Sequence, residues 1–343
     1  MTHITRRALF AGTALALTLA GAAQAQDHTF RIQSSDPAGN TNFLLQKEWA
    51  EMVSDKTDGR VAVEMLPVET IVAHSETMDA VAAGIIDGHF TDTSYASGKD
   101  PAFGLIANPV GAWSDPAQMF DFMANGGGNA LMNEMLEPYG LHFIGATTPG
   151  LEAFVSTVPL DGVDDLKGLK LRAPEGMVQN VFAAAGAAPV NLPGSEVFTS
   201  LDKGVIDAAD YNTFSTNAAQ GLHDVARHPV YPGFHSMPLI EVSVNKEKWD
   251  SLPDDLKAAM EESVAEFAVY QSETVHERDM QAASEAEASG EVTIHDWSDE
   301  ERAKFRAIAR SQWEDAAGAS ANSQKVYDLL TAYLVDKGLM SED

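Results

Sequence analysis

Cysteine is absent from the 343-residue chain. That absence excludes disulfide staples, a thiol nucleophile and every Cys-based metal site, so the fold has to rest on its apolar core. Basic residues are scarce, 22 Lys and Arg against 51 Asp and Glu. Phosphate backbones would be repelled, and no Lys/Arg cluster interrupts the acidic background, so nucleic acid is not an expected partner; an anionic membrane surface is disfavoured for the same reason. A bound anion is not excluded, because one buried Arg reverses the local potential whatever the net charge. Also missing are a Gly-x-Ser-x-Gly elbow, a Gly-rich phosphate loop followed by Lys-Ser/Thr, a His-Glu-x-x-His helix and any repeat of solenoid period.

What is present begins with an export signal. Arg6 and Arg7 precede an uncharged run from Ala8 to Ala22 and a small-residue site, Ala23-Gln24-Ala25. The run is too weakly apolar to span a bilayer well, and no second long apolar stretch follows, so cleavage after Ala25 is expected to leave a chain without a membrane insertion. Thr5-Arg6-Arg7-Ala8-Leu9-Phe10 also loosely matches a twin-arginine signal, which leaves the export route open. Two of the 22 basic residues leave with the signal, and 20 then face 51 acidic ones.

From residue 29 the pattern alternates. Strands are predicted at 29–34, 60–66, 88–93, 141–147, 152–158, 169–172, 187–192, 206–209 and 239–245, with helices at 42–56, 75–83, 116–136, 177–185 and 195–203 between them. Three further helices are predicted at 253–288, 299–312 and 326–339; Leu256, Met260, Val264, Phe267, Val269 and Tyr270 give the first a partial apolar stripe. Gly126-Gly127-Gly128 reads as a break in its helix. The fold class is therefore α/β, with helices on mostly parallel sheets and a length suited to two lobes. The expected division puts 27–148 and about 239–285 in the first lobe, and 149–238 with about 286–343 in the second. Two chain crossings make a hinge of several segments, suited to closing a cleft on a ligand.

The most specific stretch is Val163-Asp164-Asp165-Leu166-Lys167-Gly168-Leu169-Lys170-Leu171-Arg172-Ala173-Pro174, followed by Ala188-Pro189-Val190 and by Glu196-Val197-Phe198-Thr199-Ser200-Leu201-Asp202-Lys203-Gly204-Val205-Ile206-Asp207-Ala208. In order and spacing this resembles the solute-binding subunits of tripartite ATP-independent periplasmic (TRAP) transporters, the dicarboxylate-binding superfamily. The resemblance runs from residue 29 to the last helix. It implies a two-lobed periplasmic binding fold that captures a small organic acid and passes it to an ion-gradient-driven membrane permease, with no catalysis and no cofactor. Exchange of the terminal helix in some similar proteins also allows a homodimer.

Arg172 ends a short strand just before a proline, where its planar fork can meet a carboxylate through two charge-assisted hydrogen bonds. The resemblance gives it the ligand carboxylate. Tyr231-Pro232-Gly233-Phe234 and Lys325-Val326-Tyr327 point within the family to the 2-oxo acid binders, which often hold a cation. Here the matching Trp-Glu pair is Tyr211-Asn212 and an acidic residue is Ser236, so anionic ligands are lost and no obligatory metal is expected. Asn212 can donate its amide to the acid and Tyr211 can cover it. Glu152 stands where similar proteins carry a cationic or polar group, which calls for amine or hydroxyl donors on the ligand. Phe234 and His235 follow a Pro-Gly turn that could line the cleft, and His223 and His228 are expected to flank a strand. Asp36, His74, Asp92 and Tyr95 sit at strand ends, the expected rim of an α/β crevice. The sequence leaves two alternatives: a metal-assisted periplasmic hydrolase using His223, His228 and His235, or a binding protein that reports to a sensor kinase.

Overall fold

The computed structural model describes residues 27–340; the signal segment and the cleavage site after Ala25 lie outside them. Among the described residues nine strands form two sheets. The strands are β1 (His28–Ser34), β2 (Val61–Leu66), β3 (Gly88–Asp92), β4 (Leu141–Thr147), β5 (Ala153–Ser156), β6 (Lys170–Arg172), β7 (Ala188–Val190), β8 (Ala208–Asn212) and β9 (Ile240–Asn245). One sheet has the order β2-β1-β3-β9-β4 and the other β5-β8-β6-β7. β1 pairs parallel with β2 and β3, and β6 pairs parallel with β7 and β8, while β9 and β5 run antiparallel to their neighbours. Strand β9 lies between β3 and β4, so the chain returns to the first sheet after building the second.

Helix boundaries follow local chemistry. Asn40 accepts a hydrogen bond from the Asn42 amide and starts the helix Thr41–Lys56, and Asp115 does the same for Pro116–Asn125. That helix stops at the glycine run and a new one starts at Gly128, as expected from three consecutive residues of low helix propensity. The long helix Asp254–Ser289 ends at Gly290 in the left-handed region. Three elements show the largest boundary differences from expectation. The helix from Asp299 runs on to Ala317 because its alanines favour helix, and Ser320 caps the next helix, Ala321–Asp336, earlier than predicted. Strand β8 starts at Ala208 and reaches Asn212, because Val205 and Ile206 close a turn onto the Ser200 carbonyl. His223 lies in the short helix Leu222–Val225 and His228 in irregular chain, so these two histidines do not flank a strand; Val230 between them and β9 makes only isolated bridges.

Two cores position the sheets. Phe30, Ile32, Phe90, Val242 and Val244 pack with Trp49 and with Val264 and Phe267 of the long helix. The larger core reaches the second sheet through Phe154 and Phe182 and takes in Trp297 and Phe305. Each such buried side chain contributes roughly 2 kcal/mol of transfer free energy. The same long helix then packs on the helix Phe214–Ala219, where buried Asp279 accepts the Ser215 amide at 2.7 Å. Burial raises the Asp279 carboxyl above its ordinary value, against the hydrogen bonds from Ser215 and Phe214.

Phe234 belongs to the larger core. Its ring stacks on Trp297 with centroids 3.8 Å apart, and Arg302 holds the turn beneath it by donating to the Gly233 carbonyl at 2.7 Å and the Pro232 carbonyl at 2.9 Å. Gly233 is obligatory there, since a Cβ would stand 2.1 Å from the Glu152 carbonyl oxygen. Gly233→Ala is expected to cost about 3 kcal/mol by overpacking against backbone. Chemical denaturation measures it, and a loss below about 0.5 kcal/mol would contradict the close approach.

Candidate functional site

The strand ends of the two sheets meet around a cavity of about 320 Å³. From the first sheet come Asp36, just past β1, Asp92, at the end of β3, and Ile240, at the start of β9. From the second come Arg172, the last residue of β6, and Asp210, Tyr211 and Asn212 of β8. Glu152 enters immediately before β5. This is the edge where parallel strands deliver their loops and helix N-termini, the usual crevice of an α/β fold.

Arg172 is 5% exposed. Its Nε donates to the Leu192 carbonyl at 3.1 Å and its Nη1 to the Asp210 carbonyl at 2.6 Å. The guanidinium carbon lies 5.8 Å from the centre of the Tyr211 ring. Tyr211 in turn occupies the space above Gly194, where a Cβ would meet its ring at 2.7 Å. Among the described residues no carboxylate forms an ion pair with Arg172 and Nη2 takes no protein acceptor. Two carbonyls therefore aim a fixed cation at the cavity and leave part of its fork open.

Behind it stands a buried acid network. His235 Nε2 lies 2.9 Å from Asp210 Oδ1, and Glu152, Asp210 and His235 each bring one polar atom within 4.8 Å of the others. Glu152 is pushed well above the ordinary carboxylate range, first by burial and then by the charge and hydrogen bond of Asp210. Burial also acts upward on Asp210, but the His235 charge and hydrogen bond, the Glu152 hydrogen bond and Arg172 outweigh it and hold Asp210 low. The pair therefore shares a proton, and the opposite directions of the two shifts favour Glu152 as its carrier. The Glu152 amide donates to the Ser236 carbonyl at 2.9 Å, and Asn108 donates to the Ser236 hydroxyl. These three donor residues are the one metal-competent trio found among the described residues. His235 bonds Asp210, while Asp210 Oδ2 and His235 Nδ1 are buried with no hydrogen-bond partner in the protein; a hard cation prefers six to eight oxygens.

Asp36 accepts from Gln46 Nε2 at 3.0 Å, and Asp92 accepts from the Ser94 amide at 2.7 Å. Burial raises Asp36 to about 6, with Gln46 opposing and Asp92 adding to the rise. Burial likewise raises Asp92 to about 6, opposed by its Ser94 hydrogen bonds and by Arg172 and assisted by Asp210. Across the cavity Asn42 donates to Asn212 Oδ1 at 3.5 Å, and the Thr213 amide donates to the same oxygen at 2.9 Å.

Of the eleven residues singled out in the sequence, the cavity wall carries Asp36, His74, Asp92, Tyr95, Glu152, Arg172, Tyr211, Asn212 and Ser236. His74 and Tyr95 stack edge to face at 4.9 Å on the first-sheet side. Phe234 and His235 do not line it. Phe234 is drawn into the aromatic core by Trp297 and Phe305, and His235 sits behind Asp210 and 1% exposed. His223 and His228 are also remote, His228 bonding His295 at 3.1 Å, so His223, His228 and His235 do not converge. Sequence reasoning missed Asn42, Gln46, Asn108, Asp210 and Gln271, all wall residues and all buried. For Gln271 the signal was a polar residue on an otherwise apolar helix face, between Phe267 and Val275.

A family model described as bacterial extracellular solute-binding protein, family 7, matches residues 32–319. The monocarboxylate 2-oxoacid-binding periplasmic protein of Nostoc sp. is 26% identical over 306 residues, covering 89% of this chain and 83% of the relative. The C4-dicarboxylate-binding periplasmic protein of Rhodobacter capsulatus is 26% identical over 315 residues, covering 89% and 92%. An apo open crystal structure of a TRAP periplasmic solute-binding protein from Rhodobacter sphaeroides is 65% identical, covers 92% of this chain and all of its own, and superposes with a TM-score of 0.78.

Because Asp36 and Asp92 titrate near 6 when folded but lower when unfolded, the native state binds more protons in that window and stability falls as pH rises through it. Asp36→Asn and Asp92→Asn are each expected to stabilise the unliganded protein at neutral pH by about 1 kcal/mol, discounted for partial exposure. The gain disappears in acid, where the native carboxyls are already neutral. Melting curves across pH test this, and a lower Tm for both variants at neutral pH would contradict it.

Proposed function

Since the chain belongs to the bacterial extracellular solute-binding protein family 7, the TRAP solute-binding subunits, we propose that it captures a small organic acid whose carboxylate is held by Arg172. One observation carries the reading. In a chain with 51 acidic residues, a buried guanidinium faces a cavity with no carboxylate partner among the described residues. Desolvating that charge is costly, and an anionic ligand supplies the missing partner through two parallel hydrogen bonds. The 2-oxoacid-binding and C4-dicarboxylate-binding relatives support the chemical class.

Asn212 and Tyr211 complete the acid's surroundings, the first with its amide and the second with its ring. Ligand bound to the wall on one sheet gains the contacts of the other only when the two approach, so binding favours the closed state by that difference in affinity. The lobes are assigned as residues 27–148 with about 239–285, and 149–238 with about 286–343; Asn42 and Asn212 then make a hydrogen bond across them. The protein acts in the periplasm, after export by its N-terminal signal, and the closed form delivers its ligand to a membrane permease. Both named relatives are periplasmic proteins, and among the described residues no helix is long and apolar enough to cross a membrane. The separated histidines give no support to a metal-assisted hydrolase, and no catalytic residue is assigned.

A thermal-shift screen of oxo acids, hydroxy acids, dicarboxylates, sulfonates and zwitterions tests the reading, because a ligand of the native state raises Tm with concentration. At least one anion is expected to stabilise the protein. Arg172→Gln should weaken that ligand roughly 100-fold or more, the range for removing one partner of a buried charge pair. A strong hit without an anionic group, unaffected by the substitution, would sink it.

A further inference from the structure

We propose that the organic acid also carries a protonated amine, seated against Asp36 and Asp92 on the first-sheet side of the cavity. The inference rests on the carboxylate reading above and specifies the ligand's second end.

Charge balance is the first support. Four buried or half-buried carboxyl groups, Asp36, Asp92, Glu152 and Asp210, share the wall with a single guanidinium. Two of them are already answered: Asp210 by His235, and Glu152 by keeping its proton within reach of Asp210. Asp36 and Asp92 have only neutral donors, the Gln46 amide and the Ser94 backbone, and among the described residues neither forms an ion pair. A ligand that presented only a carboxylate would satisfy Arg172 and add a like charge beside these two. Burying a second anion there is unfavourable, whereas an ammonium group cancels the local charge.

The second support is independent of charge. Asn42, Gln46 and Gln271, 6%, 1% and 1% exposed, all line the cavity, and the side-chain oxygen of each lacks a hydrogen-bond donor in the protein. Three unpartnered acceptors on the first-sheet side call for a donor-rich group, and an ammonium offers three N–H bonds and no acceptor. Tyr95, 38% exposed and on the same side, adds a ring face of the kind that cations prefer. A hydroxyl group would answer an acceptor but leave the two carboxylates uncompensated, which favours the amine.

Calorimetric titration in the presence of a chelator tests this with matched probes: butanoate and pentanoate, their hydroxy derivatives, and their amino derivatives with the amine at each carbon in turn. At least one amino derivative is expected to bind ten-fold or more tightly than its hydroxy counterpart. Asp36→Asn and Asp92→Asn should each shrink that ratio at least five-fold and improve affinity for the plain acids, since a repulsive charge is gone. Circular dichroism and Tm establish that the isosteric variants are folded. Equal binding of amino and hydroxy derivatives, no binding by any amino derivative, or a ratio that survives both substitutions overturns the amine. So does calcium replacing the chelator and bringing plain acids up to the amino level, which would mark a metal-bridged site. Arg172→Gln separates this inference from the one beneath it: weaker binding of every acid with the amino ratio retained supports both. Undiminished binding of the amino derivatives to that variant overturns the carboxylate reading itself.

Discussion

Asp210 is bound from three directions, and the site's electrostatics follow from that. Its carboxylate meets the His235 imidazole, it shares a proton with Glu152, and its backbone carbonyl orients Arg172. A lone buried carboxylate would be driven toward protonation, and the imidazole and guanidinium together prevent it. Glu152 then takes the proton instead, so this wall presents both a hydrogen-bonding acid and a directed cation. Such a network holds its members in fixed geometry only while every member is satisfied. The turn at Gly233, pressed against the Glu152 backbone and clamped by Arg302, supplies the mechanical support.

The two sheets meet the same problem from opposite sides. The second sheet offers a cation whose charge is open to a ligand, and the first offers carboxylates and amide oxygens whose needs the protein leaves unmet. Unmet polar groups lower the stability of the unliganded fold, and a ligand that meets them recovers the loss on binding. On the ligand proposed above, selectivity would have two independent parts, an anion at one wall and donors at the other, and a molecule with only one of them would gain only part of the binding energy.

Much of the frame was legible from the chain. Alternating strand and helix patterns located nearly every strand, because strand period and turn chemistry are local properties. Arg172 was legible through its motif and its place before Pro174, and Asp36 and Asp92 through the general rule for strand ends. Long-range packing was not. Phe234 follows a Pro-Gly turn, which says nothing of Trp297 waiting many residues downstream to stack on it. The same turn suggested His235 for the cavity wall, and only the fold shows that Asp210 stands between them. Gln271 was hidden in another way: inside a long amphipathic helix a single buried amide looks like an imperfection of the apolar stripe, and its meaning depends on which wall that helix closes.

The helix Asp254–Ser289 has a consequence of its own. It contains neither proline nor glycine along its 36 residues, and so has none of the usual places to kink. One end is embedded in the core of the first sheet by Val264 and Phe267, and the other is fastened to the Phe214–Ala219 helix through Asp279. It behaves as a stiff rod roughly 50 Å long at the ordinary rise per residue. Any change of angle between the sheets must therefore slide or pivot at one of its two attachments, with the bending confined to the loops that cross between them.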